Sequence, residues 1–243
     1  MIPRIYADKI EIIVPARELP IVFETTIKIN KEEFIVLLGH NGSGKSTLVR
    51  ALSGDIKSSS GKVLIDNTEV NQFSIQKKAQ DIVVLAQKAE DRLFLDLTLE
   101  ENIILWENRY PVKEQLQFEQ VILLAKMPKR FLDLKKQLMR NFSGGEKQSI
   151  LLALALAHPP KILFLDEHTA SLDYKASHEI MSATNRAVTD NKITTIMVTH
   201  NLEYAIDYGD RIIVMNEGKL MIDQKKSASL SKNELKEMME YSN

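Results

Sequence analysis

The hydrophobic positions of the chain follow two patterns that predict two kinds of β-strand. Residues 21–29, IVFETTIKI, alternate apolar and polar side chains with a period of two, which is typical of a half-buried antiparallel strand. Other segments are continuously apolar, as in the strands of a parallel sheet that are buried on both faces. These segments are residues 34–39, 81–86, 161–166 and 194–200. The sequence therefore predicts an α/β fold with a parallel sheet and an antiparallel β-subdomain.

Between the second and third of these buried strands, the apolar positions have helical spacing. Thr98 with Glu101 and Ser143 with Glu146 have the spacing of capping boxes, which mark helix starts. We therefore predict a helical subdomain at residues 88–158, inserted in the α/β core.

The C-terminal part of the chain predicts a β-hairpin followed by a helix. The hairpin covers residues 211–223 with Gly218 in its turn, and Ser231 with Glu234 again has capping-box spacing. All of these elements fit a single domain over residues 1–243.

Composition excludes several classes of protein and site. The 32 basic and 33 acidic residues nearly balance, so no global positive field favours nucleic acid. The absence of cysteine excludes disulfides, thiolate metal sites and cysteine nucleophiles, and it fits a reducing cytosol. The longest unbroken apolar run, residues 150–157, is far shorter than the ~20 residues of a transmembrane helix. Residues 1–9 lack the apolar region of a signal peptide.

Residues 39–47, GHNGSGKST, match the phosphate-loop pattern G-x-x-x-x-G-K-[ST] between a buried strand and a helical pattern. The glycines allow backbone N–H groups to face phosphate oxygens, and the following helix adds the positive end of its dipole. Lys45 supplies a positive charge, and the Ser46 hydroxyl is a candidate Mg²⁺ ligand. The expected nucleotide-binding residues are Gly39, His40, Asn41, Gly42, Ser43, Gly44, Lys45, Ser46 and Thr47.

Two adjacent acids end the buried strand predicted at residues 161–166. A carboxylate at the end of so apolar a strand is unfavourable without a cation, so Asp166 is a candidate Mg²⁺ ligand beside the phosphate loop. Glu167 follows it, where it is expected to orient or deprotonate the water that attacks the γ-phosphate.

Residues 141–148, NFSGGEKQ, place a hydroxyl and two glycines at a predicted helix start, which forms a second candidate anion site. Alone, such a segment is more often an ordinary helix cap. In this order along the chain, however, the motifs resemble those of the ABC ATPase family over essentially the full length. The resemblance identifies Walker A at 39–47, the Q-loop at Gln87, the signature at 143–146, Walker B at 162–166, the D-loop at 171–173 and the switch histidine at His200.

The resemblance implies a P-loop NTPase core, with a RecA-like parallel sheet carrying helices on both faces, and it implies ATP and Mg²⁺ as ligands. Glu167, His200 and Gln87 are then the catalytic residues, and Ser46, Gln87 and Asp166 bind Mg²⁺. The signature of one copy is implied to complete the ATP site of a second copy, so that two chains bind two nucleotides head to tail. The signature residues are Ser143, Gly144, Gly145 and Glu146.

The chain departs from the common family pattern at several positions. His168 stands where most members carry proline, and the form DEHT is similar to a branch of bacterial importer ATPases sometimes linked to aromatic amino acid uptake. We interpret His168 as a marker of that branch rather than as a catalytic group. Ser149 replaces an arginine that many relatives carry after the signature. Val14 aligns with the aromatic residue that usually stacks on adenine, so base selectivity is expected to be weak. We interpret the remaining histidines, His40, His158 and His178, as loop or surface residues.

The resulting expectation is an ATP-hydrolysing subunit that is peripheral on the cytoplasmic face of the cell membrane. It drives a separate permease, most consistently an importer of a small solute such as an amino acid, fed by a substrate-binding protein. The alternatives are an exporter or lipid-handling system, and a soluble ABC ATPase without a permease. Phe94 and Leu95 are the expected permease anchors, with a place in the helical core as the alternative for either.

Overall fold

The structure is a computed structural model that describes residues 2–14, 19–124, 127–170, 172–227 and 230–240. The chain divides into two compact units. Unit 1 comprises residues 1–74, 162–167 and 192–243, and unit 2 comprises residues 75–161 and 168–191. Within the described residues, no helix is long and apolar enough to span a lipid bilayer.

Unit 1 contains an antiparallel sheet of four strands in the order β2-β1-β4-β5. The strands are β1 (Ile5–Ile12), β2 (Val22–Ile29), β4 (Ser60–Ile65) and β5 (Thr68–Glu69). In β2, buried residues alternate with more exposed ones, as the period-two pattern predicts for a strand with one face on the core. The predicted antiparallel strand is confirmed, and it begins one residue later than the pattern suggests.

A second sheet of unit 1 places its strands side by side in the order β10-β9-β3-β8-β7. The strands are β3 (Phe34–Leu38), β7 (Ile162–Asp166), β8 (Thr194–Val198), β9 (Arg211–Asn216) and β10 (Lys219–Lys225). Four of them run parallel, and β10 pairs antiparallel with β9. Every residue of β3 and β8 is buried, which confirms continuous apolar runs as central parallel strands.

The β9–β10 hairpin turns through Glu217 and Gly218, both with positive φ (43° and 79°), which is the backbone of a type I′ turn. This hairpin confirms the predicted one. Three helices complete the unit, namely α1 (Lys45–Leu52), α8 (Leu202–Tyr208) and α9 (Lys232–Glu240), with a short 3₁₀ turn at Val70–Gln72. α1 contacts strands of both sheets. Ser231 and Glu234 cap α9 reciprocally, as predicted.

Unit 2 is mostly helical. Its elements are α2 (Ile75–Asp81), β6 (Ile82–Leu85), α3 (Leu99–Glu107), α4 (Phe118–Leu124), α5 (Arg130–Asp133), α6 (Gly144–Ala157) and α7 (Tyr174–Asp190), with 3₁₀ turns at Ala89–Asp91, Val112–Glu114 and Met139–Asn141. The capping boxes predicted for α3 and α6 are both present. α6 is apolar on nearly all sides and buried along most of its length, so it forms the centre of the unit. The bounds 88–158 for a helical subdomain remain a prediction.

Candidate functional site

The phosphate loop of unit 1 depends on glycine at the end of β3. Gly39 has φ +148°, and a Cβ there would lie 2.1 Å from the Met215 carbonyl oxygen, so the loop leaves no space for a side chain. Gly44 has φ +99° and forms the N-cap of α1. The Ser43 hydroxyl is buried, and it has no hydrogen-bond partner among the described residues. A buried, unpaired hydroxyl inside such a loop fits a site for an acceptor such as a phosphate oxygen.

The side chain of Lys45, the first residue of α1, extends back to the start of this loop. Its Nζ donates to the carbonyl oxygens of Gly39 and His40, at 2.9 and 2.8 Å. Its side chain is buried, and burial lowers the pKa of Lys45, whereas the nearby Glu167 and Asp166 carboxylates oppose that shift. The first N–H groups of α1 point out of the helix without intrahelical partners, so the loop combines a cation with backbone donors.

Ser46 and Asp166 meet beside the loop, although 120 residues separate them in sequence. The Ser46 hydroxyl donates to Asp166 Oδ1 at 3.1 Å. Burial raises the pKa of Asp166, and the Ser46 hydrogen bond opposes that rise. One carboxylate and one hydroxyl are a suitable donor set for Mg²⁺, which usually keeps several waters and takes its remaining ligands from substrate phosphates. The described residues contain no cluster of three or more acidic, histidine or cysteine side chains that would hold a metal alone.

Glu167 and His200 lie at the carboxyl ends of neighbouring strands, where parallel α/β sheets place their ligands. His200 Nδ1 is 3.6 Å from Glu167 Oε1. Glu167 has φ +48°, a strained conformation for a residue with a side chain, and its N–H donates to the Val198 carbonyl oxygen. Such strain costs about 1–3 kcal/mol and is concentrated at functional sites. The backbone at Glu167 therefore supports a functional role for this carboxylate.

His168 lies in a different environment from its neighbour Glu167. It is 1% exposed, and burial lowers its pKa to about 4, so the ring is neutral at pH 7. Its Nε2 has no hydrogen-bond partner among the described residues. A neutral, enclosed imidazole supports our interpretation that His168 is not a further catalytic group.

The other candidate residues belong to unit 2. Gln87 is exposed at a bend that follows β6. Ser143 caps α6, where its Oγ accepts from the Glu146 N–H at 3.3 Å and the Glu146 carboxylate accepts from the Ser143 N–H at 2.9 Å. A Cβ at Gly144 would meet no atom within 4 Å, so the start of this helix is open. Of the D-loop, Ser171 lies outside the described residues, and Asp173 caps α7 by accepting from the Ala176 N–H.

A model of the ABC transporter family matches residues 22–170, more than half of the chain. The chain belongs to this family. A curated relative from Clostridioides difficile, named a tyrosine transport ATP-binding protein, is 37% identical over 93% of this chain and 94% of its own length. The energy-coupling factor transporter ATP-binding protein EcfA2 of Caldanaerobacter subterraneus is 34% identical over 81% of this chain and 69% of its own length.

Solved structures agree with this assignment. CbiO1 of Clostridium perfringens, described as part of the ABC transporter complex cbiONQ, superposes with a TM-score of 0.78 at 25% identity, covering 93% of this chain and 89% of its own. The dimeric ATP-binding cassette MJ0796, in a post-hydrolysis state bound to ADP and Pi, gives the same score and identity, covering 91% of this chain and 98% of its own. This ABC cassette is therefore an ATP-hydrolysing, ATP-binding subunit of a transporter, and the predicted α/β fold is confirmed.

Several contacts of the cassette escape sequence reasoning. Lys147 of α6 is buried and donates to Glu90 Oε1 at 2.6 Å. This contact connects α6, which begins at the signature, with the segment after Gln87. Arg130 of α5 donates to the signature residue Glu146 at 2.8 Å. A single sequence gives no signal for these pairs, because their members are 57 and 16 residues apart. The signature motif includes neither Glu90 nor Arg130.

His158 lies in the bend that follows α6, as one of the two alternatives predicts, but it is half-buried rather than at the surface. The residue is the C-cap of α6, its Nε2 is 2.8 Å from the buried Glu107 carboxylate, and its ring stacks on Tyr110. His178 is likewise half-buried within α7 rather than in a loop.

Proposed function

We propose that this cassette hydrolyses ATP to drive a separate membrane permease that imports a small solute, with an aromatic amino acid as the favoured class. The observation that carries the catalytic part is the group of Lys45, Ser46, Asp166, Glu167 and His200 around one phosphate loop. The import part is supported by the C. difficile relative, which aligns over nearly the whole of both chains and is named for tyrosine transport. A permease, a substrate-binding protein and a place on the inner face of the membrane belong to this proposal.

In the proposed reaction, Lys45 and the N–H groups of the loop hold the β- and γ-phosphates. Glu167 takes the proton from the attacking water, and His200, at 3.6 Å from it, orients the γ-phosphate and the water. Ser46 and Asp166 would hold Mg²⁺, and the bound metal would neutralise charge that develops on the phosphate oxygens. Glu167 suits the role of base because its backbone fixes the carboxylate at the end of a buried strand.

The proposed active form is a homodimer in which Ser143, Gly144, Gly145 and Glu146 of one copy face the nucleotide of the other. The open start of α6 supports this role, since the unpaired N–H groups and the helix dipole both favour an anion there. The dimeric form of the similar MJ0796 cassette also supports it.

The proposed permease surface lies on unit 2, around Phe94. Phe94 is 59% exposed, which argues against a place in the core and supports its role as an anchor, whereas Leu95 is half-buried. Asn102 of α3 fixes the segment by accepting from the Phe94 N–H and donating to its carbonyl oxygen. Ile104 and Leu105 of the same helix are also exposed. Apolar side chains held outward on a rigid backbone are typical of a docking surface.

The test of this proposal compares Glu167→Gln with Glu24→Gln, a control at an exposed position of β2. The amide of Glu167→Gln keeps the size of the side chain but cannot accept a proton from water. We expect its ATP turnover to fall by about 10²–10⁴-fold and ATP to trap the protein as a dimer in size-exclusion chromatography. The control should hydrolyse ATP normally and show no trapped dimer. Normal turnover in Glu167→Gln would refute the assignment of the base.

Import is tested with the subunit reconstituted in liposomes together with its permease and binding protein. Uptake of labelled tyrosine that requires ATP inside the vesicles and stops in Glu167→Gln supports the proposal. ATP-dependent loss of preloaded tyrosine would identify an exporter instead.

A further inference from the structure

α6, the helix that begins at the signature, carries a negative charge at its N-terminal end, which we expect to receive phosphate. We call α6 the signature helix. Glu146 is the third residue of α6, and its carboxylate completes the capping box with Ser143. A carboxylate in the first turn stabilises a helix, because it faces the positive end of the dipole. The same charge repels an anion that approaches the same N–H groups. Glu146 therefore favours the free helix and disfavours the phosphate-bound one.

The structure places a cation, the guanidinium of Arg130, next to the Glu146 carboxylate. Arg130 Nη2 donates to Glu146 Oε1 at 2.8 Å, while Oε2 of the same carboxylate accepts from the Ser143 N–H. One oxygen thus keeps the capping box and the other is paired with a cation. The carboxylate and the guanidinium together carry no net charge.

A buried aromatic pair fixes Arg130 in this place. Phe131, the next residue, is 2% exposed, and its ring stacks on that of Phe142 with centroids 6.0 Å apart and planes 9° apart. Phe142 directly precedes the signature residue Ser143. Packing of these two rings holds the start of α5 against the start of α6. The Arg130–Glu146 pair is therefore preorganised rather than an incidental encounter of two long side chains.

We propose that Arg130 is a positioning residue for ATP-driven dimerisation, acting by neutralising Glu146 so that the signature helix accepts the phosphates bound to a second copy of the chain. This inference rests on the proposed function, in which the signature faces the partner's nucleotide. Arg130 itself adds little to folding, because its side chain is 63% exposed and exposed ion pairs contribute little to stability. Its effect should therefore be seen in nucleotide-dependent association.

The experiment measures the ATP concentration that gives half-maximal dimer, by analytical ultracentrifugation, in the Glu167→Gln background. Four proteins are compared: the background alone, Arg130→Gln, Glu146→Gln, and the double variant of these two. Glutamine at 146 keeps the capping geometry without the charge. Arg130→Gln should raise the midpoint by about fivefold, the size of effect that one charge at a helix terminus produces. The increase should shrink in high salt, which screens exposed charges.

The double variant distinguishes an effect of the Glu146 charge from a structural effect of replacing Arg130. If Arg130 acts by neutralisation, removing the Glu146 charge as well should return the midpoint to within about twofold of the background. Arg130→Lys, which keeps the charge, should also stay near the background. A midpoint that is unchanged in Arg130→Gln, or a double variant as defective as Arg130→Gln, overturns the inference. Failure of the background protein itself to dimerise with ATP refutes the proposed function and this inference together, whereas the other outcomes leave the proposed function standing.

Discussion

Replacing His158 with alanine tests whether the end of the signature helix is held by a buried polar contact. His158 Nε2 lies 2.8 Å from Glu107 Oε2, and an ionised carboxylate only accepts hydrogen bonds, so Nε2 is the donor when Glu107 is ionised. Glu107 is 2% exposed. The same oxygen accepts from the Leu116 N–H at 2.8 Å, and the other oxygen has no hydrogen-bond partner among the described residues. The substitution thus removes one of two donors from a buried carboxylate.

The expected loss of stability follows from two contacts. A hydrogen bond to a charged group contributes about 1.5–3 kcal/mol. The stack of His158 on Tyr110, with centroids 3.8 Å apart and planes 24° apart, adds about 0.5–1.5 kcal/mol. We expect His158→Ala to lower the free energy of unfolding by about 2–4 kcal/mol. For a chain of this size, that loss corresponds to a fall in Tm of roughly 5–15 °C.

The measurement is urea unfolding followed by circular dichroism, with His40→Ala as a control because His40 is exposed in a loop. The control should change stability by less than about 0.5 kcal/mol. Glu107→Gln and the double variant complete a mutant cycle, and we expect a coupling energy of about 1–3 kcal/mol between His158 and Glu107. A stability of His158→Ala equal to that of the control, or strictly additive effects, would show that this contact does not hold the helix end.

Three further predictions concern the nucleotide and the permease. Lys45→Ala removes the cation from the phosphate loop, so binding of a fluorescent ATP analogue should weaken by about 10–100-fold, and normal affinity would discredit the loop as the binding site. Phe94→Glu should abolish transport by the reconstituted complex while leaving the Tm of the isolated subunit within about 2 °C of the parent protein, because the replaced side chain is mostly exposed. Val14→Tyr should tighten nucleotide binding by about 1–3 kcal/mol through stacking, and ATP and GTP should bind the parent protein within about tenfold of each other. Strong rejection of GTP in a competition assay would show that another residue holds the base.

The sequence predicts the strands and helix starts of this cassette because local chemistry determines them. The run from Phe34 to Leu38 contains no polar side chain and is short, which favours a strand buried on both faces over a helix. Ser143 with Glu146 predicts the start of α6 because a hydroxyl and a carboxylate at that spacing bond the N–H groups that the helix leaves unpaired. Each of these elements is encoded within a few residues.

Contacts between distant segments cannot be predicted from local sequence in the same way. Ser46 and Asp166 are both candidate Mg²⁺ ligands in the sequence, but motif order, not local chemistry, indicates that they meet. The sequence presents His158 as a loop or surface residue, since nothing near it shows that Glu107 is buried 51 positions earlier. The positive φ of Glu167 cannot be predicted from the sequence either, because a residue with a side chain does not favour that conformation.

Charge balance distinguishes the two surfaces that we assign to phosphate. In unit 1, Lys45 stands among the carboxylates of Asp166 and Glu167, so an incoming phosphate meets more negative than positive side chains. A divalent cation is the natural compensation there, since Asp166 is half-buried and already bonded to the Ser46 hydroxyl. At the start of α6, by contrast, Arg130 already offsets Glu146, and backbone N–H groups supply the attraction. We therefore expect the first surface to need a divalent metal to hold ATP, and we propose that the second surface receives a phosphate that another copy of the chain holds.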